Sequence, residues 1–408
     1  MRRLPICLIL TCILIAACGR RTTAGGDGAP EADTARAHPS EEVVEADPTD
    51  DARRWADSIM TGMTLEEMAG QLIMPAVYSD SSEPQLRMIA SYAADCHVGG
   101  VVLLKGSVEG ARQIADTLRR VLPAPPLVAI DAEWGLAMRL ADTERYPRNG
   151  RIASDAEAAL MREYGREVAE ECREAGVNMV LGPVLDVLPA DRRTAAGVIG
   201  TRSFGSDPAR VARLGVAYAE GLEEGGVISV AKHFPGHGSA DADSHKTLPR
   251  VSKTRSRLEE EDLMPFSRYA DSGLSGIMTG HLYVPALDSV ERPVTVSEPV
   301  LRGLLRGEMG FDGLIVTDAM NMGGADGNSA ADAIMAGADI VLAPAFTRDE
   351  ADAIAEAVRE GRLPLAELRD RVRRVLLFKY RFIADTTAHA GADRRNAERI
   401  RTALAGGG

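Results

Sequence analysis

The chain has 408 residues, 45% of them apolar and 26% charged, with 40 Gly and 21 Pro. That balance is ordinary for a globular protein and permits one large α/β domain or two to three small ones. The formal net charge of -13 speaks against nucleic acid and against charge-driven binding to an anionic bilayer, so a neutral or small substrate is expected.

The N-terminal segment is not part of the fold. Met1-Arg2-Arg3 is basic and Leu4–Ala17 is an apolar run with Thr11 as its one polar residue, shorter than the ~20 residues that span a bilayer. Residues 1–17 therefore read as a signal peptide. The run ends Ile15-Ala16-Ala17-Cys18, which resembles a bacterial lipobox. The resemblance implies cleavage before Cys18 and acylation of its thiol. The mature protein is then held to a membrane through lipid at Cys18, in the cell envelope, on the periplasmic or outer-surface side. The plain alternative is an ordinary signal peptide with a chance Cys. Residues 18–50 have no aromatic residue and read as a flexible tether. Residues 51–385 are expected to form the folded domain and 386–408 a tail, either a frayed helix or disordered. Of five cysteines only Cys96 and Cys172 fall in the domain. They are expected as small buried apolar residues, not a bridge.

Within 51–385 one grammar repeats. Short apolar runs occur at Leu72–Tyr78, Gly100–Leu104, Leu127–Asp131, Val177–Leu181, Val227–Lys232, Gly276–Gly280, Leu314–Asp318 and Asp339–Ala343. They are apolar on both faces, as strands of a covered parallel sheet are. Amphipathic helical stretches separate most of them, among them Glu83–Ala94, Ser154–Ala175, Pro208–Glu224 and Thr347–Glu360. Eight strand–helix units predict an α/β fold of the TIM (β/α)8 barrel type. An open doubly wound sheet is the alternative, weakened by the lack of a G-x-G-x-x-G after the first run. A barrel carries its chemistry at the carboxyl ends of the strands. Asp131, Asp186, Lys232, His233, His281 and Asp318 all end or closely follow a run.

The densest stretch is Lys232-His233-Phe234-Pro235-Gly236-His237-Gly238-Ser239-Ala240-Asp241-Ala242-Asp243-Ser244-His245. Its glycines permit backbone angles other residues resist, so the loop is suited to cover a pocket. Asp243 and His245 are two apart, which puts both side chains on one side of an extended segment. A carboxylate orients an imidazole and favours its protonated form, as a general acid/base requires. A zinc site of His233, His237 and His245 with Asp243 is the alternative, but their spacing fits no regular metal motif. No metal or other cofactor is expected. A structural role is favoured for His237. The second informative stretch runs Gly310-Phe311-Asp312-Gly313 to Thr317-Asp318-Ala319-Met320. It places the Asp318 carboxylate at a strand end, where it serves either a substrate or the cap of the next helix.

Together the Lys-His-Phe-Pro-Gly-His-Gly…Asp-Ser-His loop and the Gly-Phe-Asp-Gly…Thr-Asp-Ala-Met segment resemble glycoside hydrolase family 3, in particular its β-N-acetylglucosaminidase branch. The resemblance implies a single TIM barrel with Asp318 as nucleophile and the pair Asp243/His245 as acid/base. Ile130–Arg139 resembles the family's Asp-x-Glu-Gly-Gly-Arg-x-x-Arg segment and Gly200–Gly205 its Arg-Ser-Phe-Gly segment. Asp131, Arg139, Arg202, Lys232 and His233 are thereby implied to bind substrate. The sequence departs from the pattern at Trp134, Leu136, Ser239 and Ala240. Trp134 either stacks on a sugar or fills space.

The implied reaction is retaining hydrolysis through a covalent glycosyl-enzyme on Asp318. An imidazole, titrating ordinarily near pH ~6.5, serves as acid and then base. The expected partner is a small carbohydrate, a terminal β-linked N-acetylglucosamine of peptidoglycan fragments or chitooligosaccharides. Rival readings are a β-glucosidase, a phosphorolytic N-acetylglucosaminidase, and a catalytically silent glycan-binding lipoprotein.

Overall fold

The computed structural model describes residues 48–190, 198–385 and 397–406. The expected signal peptide, Cys18 and nearly all of the expected tether lie outside the described residues. Among the described residues no helix is long and apolar enough to cross a membrane.

Every apolar run contains a strand. They are β1 (Ile73–Met74), β2 (Ala76–Ser79), β3 (Gly100–Gly106), β4 (Leu127–Ile130), β5 (Met179–Val180), β6 (Ile228–Phe234), β7 (Gly276–Thr279), β8 (Leu314–Thr317) and β9 (Val341–Leu342). The first run yields two strands because Pro75 interrupts it, and a proline has no N–H for a ladder. Strands β2 to β8 form one curled, wholly parallel sheet in sequence order. Strands β1 and β9 pair with each other, Ile73 beside Val341 and Met74 beside Leu342. At the β8 edge, Thr317 N–H donates to the Ile340 carbonyl at 2.9 Å and Val316 bridges Ile340. All residues of β4, β6 and β8 are buried, which is why these strands read as continuous apolar runs.

Helices between the strands cover the sheet, and their starts carry ordinary capping chemistry. Ser107 accepts from the Gly110 amide, and Asp207 accepts from Ala209 ahead of Pro208. Ser329 and Asp332 form a reciprocal capping box. Three further helices lie outside the strand–helix alternation. Pro48–Thr61 starts inside the segment expected as tether, and buries Ala56 and Met60. Leu365–Lys379 buries Leu368, Val372, Val375 and Leu376, spaced for one helical face. Ala397–Leu404 lies in the expected tail. It packs against the helix Ala158–Glu174 with Ile400 and Leu404 buried one turn apart, and the Leu404 carbonyl accepts from Ala153 N–H. Cys96 and Cys172 are both buried and free.

Candidate active site

Asp131 follows β4, Lys232 and His233 lie at the end of β6, and Asp318 follows β8. These carboxyl ends surround a cavity of about 440 Å³. Asp131, Arg139, Arg202, Lys232, His233, His245 and Asp318 all line it. Asp243 does not; it sits behind His245.

One wall is a chain of alternating charges. Lys232 Nζ donates to Asp131 Oδ1 at 2.6 Å and reaches Glu133 Oε1 at 2.9 Å. Arg139 holds the other oxygen of Asp131. Arg202 grips Glu133 with two donors, at 2.9 and 2.7 Å, the two-pronged pairing a guanidinium favours. Burial resists ionisation of Asp131, but the Lys232 and Arg139 cations outweigh it and hold that carboxyl well below the usual range. Glu133 behaves likewise under Lys232 and Arg202. Burial likewise opposes charge on Lys232, yet Asp131 and Glu133 raise its pKa and keep it protonated.

Next to Arg202 stands His233, its Nε2 3.3 Å from the guanidinium. Asp186 orients that ring. Its Oδ2 pairs with His233 Nδ1 at 2.7 Å, and its Oδ1 accepts from the backbone N–H of His237 at 2.6 Å. Burial would raise the Asp186 pKa, but His233 and His237 bring it down to about 2.

Asp318 is half-buried, and its Oδ1 accepts from the Ala319 amide at 2.8 Å. Its own N–H donates to the Thr279 carbonyl at 3.0 Å, which fixes it to the end of β7. Burial works against the charge, but His233, His281, the Ala319 amide and Lys232 keep the carboxyl below its ordinary value. It is therefore an anion at neutral pH. His281, buried beside it, spans Thr295 Oγ1 at 2.9 Å and the Ala319 carbonyl at 3.1 Å.

The loop after β6 brings His245 to the same cavity. Asp243 Oδ1 accepts from both the backbone N–H of His245, at 2.9 Å, and its Nδ1, at 2.8 Å. A carboxylate only accepts, so Nδ1 carries hydrogen and Nε2 is left for exchange. The hydrogen bonds from His245, the backbone one first, lower the Asp243 pKa. The His245 side chain is 60% exposed, yet its loop is tied down. His237 Nε2 contacts Ser244 Oγ at 2.9 Å, Gly324 N–H donates to the Ser244 carbonyl at 2.9 Å, and Gly323 N–H to that of His245 at 3.3 Å. A Cβ on Gly324 would stand 2.9 Å from that Ser244 oxygen. Of the loop glycines, Gly236 has φ 130°, and a Cβ on Gly238 would meet the Val187 carbonyl at 1.9 Å. The three loop histidines thus engage three different partners. Among the described residues no three metal-ligating side chains converge.

The description "Glycosyl hydrolase family 3 N terminal domain" matches residues 64–378. The chain belongs to that family. The beta-hexosaminidase of Chromobacterium violaceum is 35% identical over 293 residues, covering 68% of this chain and 80% of that protein. A family 3 beta-N-acetylglucosaminidase structure from Paenibacillus sp. FPU-7 superposes with TM-score 0.75 at 30% identity, covering 84% of this chain and 69% of that one. Beta-N-acetylhexosaminidase from Beutenbergia cavernae gives TM-score 0.67 at 27% identity, with 78% and 98% covered.

The departures of this family 3 chain from its family's pattern now have places. Trp134 is not among the cavity-lining residues. Arg148 lies over its ring at 4.8 Å and donates to Thr201 Oγ1 at 3.3 Å, while Asn149 holds the Arg202 carbonyl at 2.7 Å. The tryptophan therefore braces the segment that carries Arg202. Leu136 is fully buried. Ser239 Oγ is buried with no hydrogen-bond partner among the described residues, and Ala240 packs partly buried against the core. From the sequence, Glu133 is part of a motif and Asp186 a strand-end acid, neither with an assigned role. Neither the cations beside Glu133 nor the imidazole beside Asp186 adjoins its acid in the chain, so the sequence carries no signal for either pairing.

Proposed function

We propose that this family 3 enzyme is a retaining β-N-acetylhexosaminidase that removes terminal β-linked N-acetylglucosamine from peptidoglycan fragments or chitooligosaccharides. The observation that carries the reading is one cavity lined both by an ionised Asp318 and by a His245 whose Nδ1 is committed to Asp243. Asp318 attacks the anomeric carbon while His245 Nε2–H protonates the leaving oxygen as the glycosidic bond breaks. In the second step His245 takes a proton from water, the hydroxide adds to the same carbon, and Asp318 departs. Asp131, Lys232, Arg139 and Arg202 hold the sugar hydroxyls, and Asp186 fixes His233 for the same task. The backbone bonds between β8, β9 and β1 support closure of the sheet as a (β/α)8 barrel, with the site at its carboxyl-end mouth. Lipidation at Cys18 places the enzyme in the cell envelope; radiolabelled palmitate incorporated by the wild type and lost in Cys18→Ala checks this.

The test is turnover of p-nitrophenyl β-N-acetylglucosaminide, and of the glucoside, with and without phosphate. Expected is release of free N-acetylglucosamine from the first substrate. Asp318→Ala lowers kcat by at least about 10⁴-fold, and a 2-fluoro sugar labels Asp318 in the wild type. An active Asp318→Ala enzyme sinks the mechanism. A sugar 1-phosphate as product replaces hydrolysis with phosphorolysis.

A further inference from the structure

Tyr78 and Phe346 are 57% and 69% exposed, and no other Phe, Tyr or Trp among the described residues stands as open. Neither belongs to the site described above, yet the fold sets both at its edge. Side chains alternate along a strand, so Tyr78 shares a face with Ala76, which lines the cavity, while Val77 between them is buried. Tyr78 thus stands about 7 Å further toward the carboxyl end of the same wall. Phe346 closely follows Leu342 and Ala343, which also line the cavity, and starts the helix Thr347–Arg359. Strand β9 pairs with β1, and β1 runs on into β2 past Pro75. The two rings therefore cap neighbouring strand ends.

This edge is joined to the loop that carries His245, the proton donor of the hydrolase reading. The His245 carbonyl accepts from Gly323 N–H, and Asn321 N–H donates to the Ala343 carbonyl at 3.2 Å. The acid/base loop, the segment after Asp318 and the end of β9 are thus stitched into one wall. The charged groups that hold hydroxyls stand on β4 to β6. A sugar gripped there presents its leaving oxygen to His245 and directs the remainder of its glycan outward over the β9–β1–β2 edge. β-Linked pyranoses carry their substituents equatorially and offer flat C–H faces, which pack on aromatic rings.

We infer that Tyr78 and Phe346 form a stacking platform for the sugar units on the leaving side of the scissile bond, so that the enzyme favours longer glycans. The inference rests on the hydrolase reading. Its test compares chitotetraose with β-N-acetylglucosaminyl azide, whose leaving group is too small to reach the edge. The double variant Tyr78→Ser/Phe346→Ser is expected to lose at least about tenfold in kcat/KM on chitotetraose, mostly through KM, and to stay within about twofold of wild type on the azide. Tyr78→Phe/Phe346→Tyr keeps both rates. Equal effects on the two substrates, or none on either, overturn the platform while leaving the hydrolase intact. A wild-type enzyme inert toward both overturns the hydrolase reading, and the platform with it.

Discussion

Lys232 and His245 sit on one stretch of chain and face one cavity, but from different footings. Lys232 is 2% exposed and bound to two carboxylates. The His245 side chain is 60% exposed and bound to one. The contrast extends to whole walls: the segments after β4 and β5 and the end of β6 carry a largely buried ladder of paired charges, and the loop after β6 carries a solvated dyad steadied by backbone bonds. Groups that hold a substrate gain from rigidity and low dielectric. A group that gives up and regains a proton each turnover needs water nearby.

Substitutions on the two walls should therefore separate stability from turnover. His245→Ala is expected to lower kcat by about 10²- to 10⁴-fold on substrates with poor leaving groups, with an unchanged melting temperature. A matching loss of stability would erase the distinction. Glu133→Ala does the reverse first. It leaves Lys232 and Arg202 short of a partner in a buried site, at a cost of about 3–5 kcal/mol in denaturant unfolding. The pH dependence of stability sharpens the same point through Asp186. Its folded pKa, about 2, lies below the ordinary 3.8, so its contribution is present above the ordinary value and lost as pH falls toward 2. It amounts to roughly 2 kcal/mol, seen as a gap between wild type and Asp186→Asn that narrows by that amount from pH 6 to pH 2. The smallest effect belongs to Trp134→Ala, about 1 kcal/mol from the lost Arg148 stacking, with KM raised and kcat little changed.

Much of this was legible in the residues. The apolar runs located every strand, since a sheet covered on both faces leaves no polar alternation to confuse with other structure. The polar residues at the ends of three runs, Asp131, Lys232 and Asp318, marked the cavity wall. Pairing was not legible: a sequence displays Glu133 and Asp186 as acids but not the cations and imidazole they face across the fold. The same holds for Trp134, whose partner Arg148 lies on a separate loop. The helix Leu365–Lys379 went unread, although Leu368, Val372, Val375 and Leu376 have helical spacing.

The seat of the Ser244–His245 loop has a consequence for biosynthesis. Its backbone rests on Gly323 and Gly324, roughly eighty residues later in the chain, a contact of long sequence separation that forms late. A ribosome that has released residues up to Glu308 has already made every member of the charged ladder. The nascent chain then has neither Asp318 nor the glycines on which the Ser244–His245 loop rests, so that wall of the cavity can form only after residues 318–324 have been made.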